Sequence, residues 1–181
     1  MKILDILRHS MRQKPGSDLS QAGIKLARYA GKTPDSYERV VTSTLPRAMQ
    51  TAVAMGFAVT ETVGKLGPID ESIVRKLGWP SDLGTINSTL AKYPDYAALA
   101  ESQASLGEEI AARVSNGKAG LVITHGAILE LGVVGSLRRS GQVIVGEAFA
   151  YCEGARLYFG GGSCERVEQL RVPTEMRLVD S

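Results

Sequence analysis

Only two histidines occur in the 181 residues, and each directly follows a short apolar run. His9 ends Ile6-Leu7-Arg8-His9, and His125 ends Val122-Ile123-Thr124-His125, with Gly126 next. A third run, Arg39-Val40-Val41, leads into Thr42-Ser43-Thr44-Leu45-Pro46-Arg47. If these runs are neighbouring strands of an open parallel sheet, Arg8, His9, Arg47 and His125 converge beyond the strands' carboxyl ends. That is where ligands of such sheets bind. Phosphoryl transfer uses such a set. Two guanidinium groups bind the oxygens of a phosphate dianion bidentately and neutralise its charge. An imidazole nitrogen in line with phosphorus attacks it and forms a phosphohistidine, dividing the reaction into two easier steps. A second imidazole donates to the equatorial oxygens as charge shifts. Positioning and electrostatics are most of what this chemistry requires, so neither a metal nor an organic cofactor is expected.

The elements that must hold these side chains are legible around them. Segments 2–7, 39–43 and 120–124 are aliphatic and β-branched, as strands covered on both faces are. Leu19, Ala22, Leu26 and Ala30 recur at helical spacing with Ser20 as cap. Pro46 opens a second helix, with Ala48, Thr51, Ala52 and Met55 on its inner face and Gly56 at its end. Further helices are expected over 98–114 and 127–139, and strands over 147–152 and 155–159, followed by a Gly160-Gly161-Gly162 turn. The stretch 60–98 holds Gly64, Gly67, Pro68, Gly78, Pro80, Gly84 and Pro94. It reads as an irregular excursion that caps a pocket. The alternation gives an α/β fold, a three-layer α/β/α sandwich on a mostly parallel sheet. One domain over 1–181 is expected, with 60–98 as a capping insertion.

Composition narrows the function classes. Hydrophobic residues make up 44% and charged residues 22%, which is ordinary for a soluble globular chain. The formal charge is +2, and Lys and Arg are dispersed, so no nucleic-acid face is expected. No apolar stretch approaches a membrane span, and the opening Met-Lys-Ile-Leu-Asp is too short and interrupted for an export signal. A cytoplasmic location is the default. Cys152 and Cys164 do not make a disulfide framework and are read as two thiols without a functional signal.

The motifs together resemble the histidine phosphatase superfamily, the phosphoglycerate mutase-like proteins. Leu7-Arg8-His9-Ser10 is similar to its Arg-His-Gly signature. Ser43-Thr44-Leu45-Pro46-Arg47-Ala48-Met49-Gln50-Thr51-Ala52 matches its Ser-x-x-x-Arg-Ala-x-x-Thr-Ala pattern, and Thr124-His125-Gly126 its later His-Gly. Asp18-Leu19-Ser20-Gln21-Ala22-Gly23 looks like the element between the first two. The likeness spans roughly residues 1 to 135. It implies a phosphoglycerate mutase-like fold and a metal-independent phosphomonoesterase working through phosphohistidine on His9. Arg8 and Arg47 would bind phosphate, His125 would be the second imidazole, and backbone amides around Gly126 would complete the cradle. The substrate would be a small phosphomonoester or a phosphoprotein. A phosphoglycerate-type mutase, a protein phosphohistidine phosphatase and a phosphate-binding module without turnover are the alternatives.

The sequence departs from the family pattern in two places. Ser10 stands where glycine is usual, and its hydroxyl is a possible further donor to phosphate. The carboxylic acid that many members use to protonate the leaving oxygen has no clear counterpart. Glu71 is the first choice, with Asp70 and Asp82 behind it, and catalysis without a dedicated acid is the other reading. Arg12 fits either a second anionic group of the substrate or plain surface. Ser43 fits either the site or the cap of the following helix. Trp79 fits either the pocket mouth or packing.

Overall fold

A computed structural model describes residues 1–32 and 36–178. The described residues form a six-stranded sheet in the order β3-β2-β4-β1-β5-β6. Its centre is β1 (Lys2–Arg8), β4 (Ala119–Thr124) and β2 (Tyr37–Thr42), all parallel. β3 (Glu61–Thr62) adds to β2 in parallel, while β5 (Gly154–Gly160) and β6 (Ser163–Leu170) form an antiparallel edge beside β1. The mostly parallel sandwich expected from the alternation is present.

Side chains alternate across these strands, so each face of the sheet builds its own core. Leu121 and Ile123 of β4 pack with Val40, Leu26, Ala48 and Ala52 under α1 (Gln21–Ala30) and α2 (Pro46–Ala54). Val122 faces the other way, with Leu4, Val41, Ile110, Leu131 and Val134, under α5 (Pro94–Ala112) and α6 (Ile128–Ser140). The start of α1 is set by Ser20, whose hydroxyl accepts from the Gly23 amide at 3.0 Å. Pro46 opens α2 at a position where its missing N–H costs nothing.

Two stretches differ from the sequence-based expectation. Segment 60–98 is not irregular throughout: it carries α3 (Glu71–Leu77) and α4 (Leu83–Lys92). Asp70 caps the first and Asp82 the second, and Gly78 ends α3 at φ 67°, where a side chain would be disfavoured. Leu83, Ile86 and Leu90 are buried at helical spacing in α4. The dense Gly and Pro marked the ends of these short helices rather than their absence. Segment 147–152 is not a strand but a folded turn. Its amides bond inward to side chains: Phe149 N donates to Glu130 at 3.0 Å and Ala150 N to Glu153 at 2.9 Å. The hairpin turns at Gly161 and Gly162 (φ 60° and 94°), and the residues after it, for which the sequence carries no expectation, form β6.

Candidate active site

The parallel register sets the site. Arg8 of β1 stands opposite Thr124 of β4, and Thr42 of β2 stands opposite Ile123. One residue beyond each strand end, His9 N still bonds to Thr124 O at 2.8 Å and Ser43 N to Ile123 O at 3.1 Å. His9, Ser43 and His125 are thus fixed side by side on one edge of the sheet. The imidazole centroids of His9 and His125 lie 4.8 Å apart, edge to face. The structure brings together Arg8, His9, Arg47 and His125 from the three predicted places.

His9 is held in one tautomer. Its Nδ1 lies 2.6 Å from the Ser10 carbonyl oxygen, which can only accept, so the proton sits on Nδ1. Nε2 keeps the lone pair and receives Arg47 Nε at 3.1 Å. Arg47 is the second residue of α2, and its Nη1 also donates to Ser17 Oγ at 3.3 Å. Thr51 ties the helix to the motif loop: its hydroxyl donates to Arg47 O at 2.7 Å and accepts from Ser10 N at 2.9 Å. His125 Nε2 meets Ser43 Oγ at 2.7 Å, and a hydroxyl serves either tautomer. Ser43 Oγ also accepts from Leu45 N at 3.4 Å, so the residue serves both the site and the turn.

Arg8 points between two aromatic rings. Its guanidinium carbon lies 4.0 Å from the Tyr151 ring centroid and 5.0 Å from that of Trp79, within cation–π range. Its Nη1 donates to Phe149 O at 3.3 Å.

Burial pushes the His9 pKa down to about 2, against the raising effect of the Ser10 bond and with the help of His125, Arg47 and Arg8. For His125, burial and then the two arginine charges bring it to about 3. Both imidazoles are therefore neutral in the unliganded protein across the ordinary pH range. A neutral imidazole with a free lone pair can act as a nucleophile without needing a base. As the pH falls through the usual histidine value of about 6.5, free His9 takes up no proton. After correction for ionisation of the substrate, kcat/KM is expected to vary by less than about threefold between pH 7 and 5, because it reports free-enzyme groups. An acid limb centred near 6.5 would contradict this assignment.

Around this core, the remaining sequence-derived candidates lie as follows. Ser10 is fully buried and donates its hydroxyl proton to Gly23 O at 2.7 Å, in the wall of the site. Gly126 lies under Trp79: a Cβ there would fall 2.2 Å from Trp79 Cζ2. Gly126→Ala is accordingly expected to displace the indole, to shift its emission to the red and to cost about 1–3 kcal/mol of stability. Unchanged emission would show that the packing is not this tight. Arg12 is tied by Nη1 to the carbonyls of Pro15 (3.2 Å) and Gly16 (2.8 Å), near enough for its charge to act on Arg47. Glu71 opens α3 with its side chain 92% exposed, and its ion pair goes to Arg75 at 3.7 Å rather than to the histidines. Asp70 and Asp82 cap helices, and bonds from Ser72 and Thr85 hold their carboxyls below the usual range, which disfavours proton donation. The two cysteines are free and buried, and burial pushes Cys152 up to about 12.

Reading the sequence missed Ser17, Thr51 in its bonding role, Tyr151 and Glu130. Only Glu130 carried a signal, as one carboxylate in the apolar run Ile128-Leu129-Glu130-Leu131-Gly132-Val133. Ala127, just ahead of it, adopts φ 67° and ψ −56°, a conformation that costs of order 1–3 kcal/mol in a non-glycine residue. The strain falls at the junction that turns β4 into α6 directly behind His125.

This architecture is found in solved structures of phosphatases and mutases. A phosphoserine phosphatase from Entamoeba histolytica, solved with 3-phosphoglyceric acid, superposes with a TM-score of 0.68 at 14% identity, over 97% of this chain and 100% of that one. A phosphoglycerate mutase from Bacillus anthracis gives 0.57 at 16% identity, over 93% and 92%. The protein histidine phosphatase SixA, solved with tungstate, gives 0.53 at 18% identity, over 93% and 96%. No protein-family model and no curated protein sequence matches the chain. The fold is the phosphoglycerate mutase-like sandwich shared by these phosphatases and mutases.

Proposed function

We propose that this chain is a phosphomonoesterase that carries the phosphoryl group on His9. One observation carries the reading: a neutral His9 with its proton on Nδ1 turns the Nε2 lone pair toward Arg47, beside Arg8 and His125. A phosphate dianion entering this space meets two guanidinium groups, and the stronger charge-assisted bond draws Arg47 Nε from the imidazole to a phosphate oxygen. That exchange frees the lone pair when the substrate arrives. Nε2 attacks phosphorus, the N–P bond forms and the P–O bond to the alcohol breaks. The departing oxygen takes a proton from water or from a donor on the substrate side. In the second step water attacks phosphorus, the N–P bond breaks, and phosphate leaves with His9 neutral again. His125, kept neutral by burial, turns its Nε2 N–H from Ser43 Oγ to an equatorial oxygen and donates to it in both steps.

Residues 1–181 act as one domain in this reading, with 60–98 as the cap over the crevice. Hydrolysis is preferred over mutase chemistry because the cap offers few cations (Lys65, Arg75, Lys76 and Lys92) to hold a second acidic group. The free thiols fit a cytoplasmic setting.

The experiment measures phosphate release, with chelator present, from phosphoserine, phosphoglycerate, sugar phosphates and a phosphohistidine peptide. Release from at least one of them, unaffected by chelator, is the expected result. Folded protein that releases none, yet passes phosphate between two glycerate positions, would make it a mutase and overturn the hydrolase reading.

A further inference from the structure

Glu130 lies in the first turn of α6, wholly buried, and the hydrolysis proposed above gives it no part. Its two oxygens face two different donors. Oε1 accepts from the backbone amide of Phe149 at 3.0 Å, and the carbonyl of that same Phe149 accepts from Arg8 Nη1 at 3.3 Å. Burial raises the Glu130 pKa above the ordinary glutamate value, and the Trp79 indole N–H on one side and the Phe149 amide on the other oppose that rise by favouring the carboxylate. Trp79 Nε1 and Glu130 Oε2 are both buried and without a hydrogen-bond partner, and the indole is near enough to act on the carboxyl. Trp79 in turn covers Arg8 and Gly126. One carboxyl therefore holds two of the groups around the Arg8 guanidinium, the Phe149 turn and the Trp79 indole of the cap, and the Tyr151 ring is a third.

We propose that Glu130 is a positioning residue for phosphate binding, acting on Arg8 through Phe149 and Trp79. The chemistry requires a carboxylate. Two N–H donors converge on it, and only a carboxylate presents an acceptor to each; a glutamine amide satisfies one and sets its own NH₂ against the other. A donor left facing a donor in a buried place is costly, so the half-buried indole, a side chain where the Phe149 donor is backbone, moves away. Arg8 then loses one wall, and the guanidinium that must meet a phosphate oxygen samples more orientations. Electrostatics alone predicts the opposite outcome, since removing a negative charge beside Arg8 would strengthen anion binding. The sign of the change separates positioning from charge. The inference rests on Arg8 being a phosphate ligand, as proposed above.

The test is a double-mutant cycle on vanadate binding, measured by calorimetry with wild type, E130Q, W79F and the double variant. Thermal unfolding is recorded alongside. E130Q is expected to weaken vanadate about tenfold in the Trp79 background and by less than about twofold in the W79F background, because the opposed donor is then gone. W79F alone is expected to weaken binding and carries the test should E130Q fail to fold. The inference falls if E130Q binds vanadate as tightly as wild type or more tightly, if its effect is the same in both backgrounds, or if W79F binds normally. Wild type that binds no vanadate at all would instead overturn the phosphohydrolase reading and this inference with it.

Discussion

His9→Ala is expected to lower phosphate release by at least about 10⁴-fold, with the fold intact, because loss of a nucleophile removes the covalent route. No substitute is found among the described residues. Cys152 is the nearest alternative in chemical type, but its thiol is buried and its pKa is pushed up to about 12, so almost no thiolate exists at neutral pH. Ser43 Oγ is engaged by His125 Nε2 at 2.7 Å and by Leu45 N at 3.4 Å. His125 uses Nε2 as a donor in this reading, facing Ser43 until phosphate arrives, and its Nδ1 is buried. Steady-state release with the variant, set against unfolding curves, checks this. A loss below about tenfold would mean that another group carries the phosphoryl.

Arg47→Gln is expected to cost about 10²–10³ in kcat/KM, the scale seen when one preorganised charged donor is removed from a transition state. Glutamine is too short to replace the Nε contact with His9 at 3.1 Å or the Nη1 contact with Ser17 at 3.3 Å. A second effect follows from the same residue. The Arg47 charge helps to hold the His9 pKa low, after burial and together with His125. Removing it moves that pKa upward, so an acid limb absent from wild type moves toward the measurable range. Arg47→Lys should fall between the two, since an ammonium keeps the charge and loses the fork. Equal rates for Gln and wild type would remove Arg47 from the site.

The central strands and their chemistry were readable because one rule links them. A short β-branched run with an abrupt polar end marks a parallel strand that stops at a functional edge, and His9, Ser43 and His125 each sit at such an end. The first two helices were readable from Ser20 and Pro46, whose roles are local. What the sequence hid depends on distant partners. Segment 147–152 has the apolar content of a strand, yet its amides are claimed by Glu130 and Glu153, and nothing local announces that. The capping helices are short enough that their Gly and Pro boundaries outweigh the periodicity of Leu83, Ile86 and Leu90. Glu71 is the expected acid by its place in the chain, whereas its side chain extends into solvent beside Arg75. The carboxyl that does lie beside the site, Glu130, follows the histidine motif inside an apolar helix. Its meaning came only with the folded contacts of Phe149 and Trp79.

The most direct test is to catch the intermediate. Protein mixed with a labelled substrate is quenched at alkaline pH, where phosphohistidine survives, then digested and mapped by mass spectrometry. The account predicts one phosphoryl group on the peptide containing His9, labile to acid and lost in His9→Ala. Turnover that proceeds with no label on that peptide, or with label on His125, would contradict it.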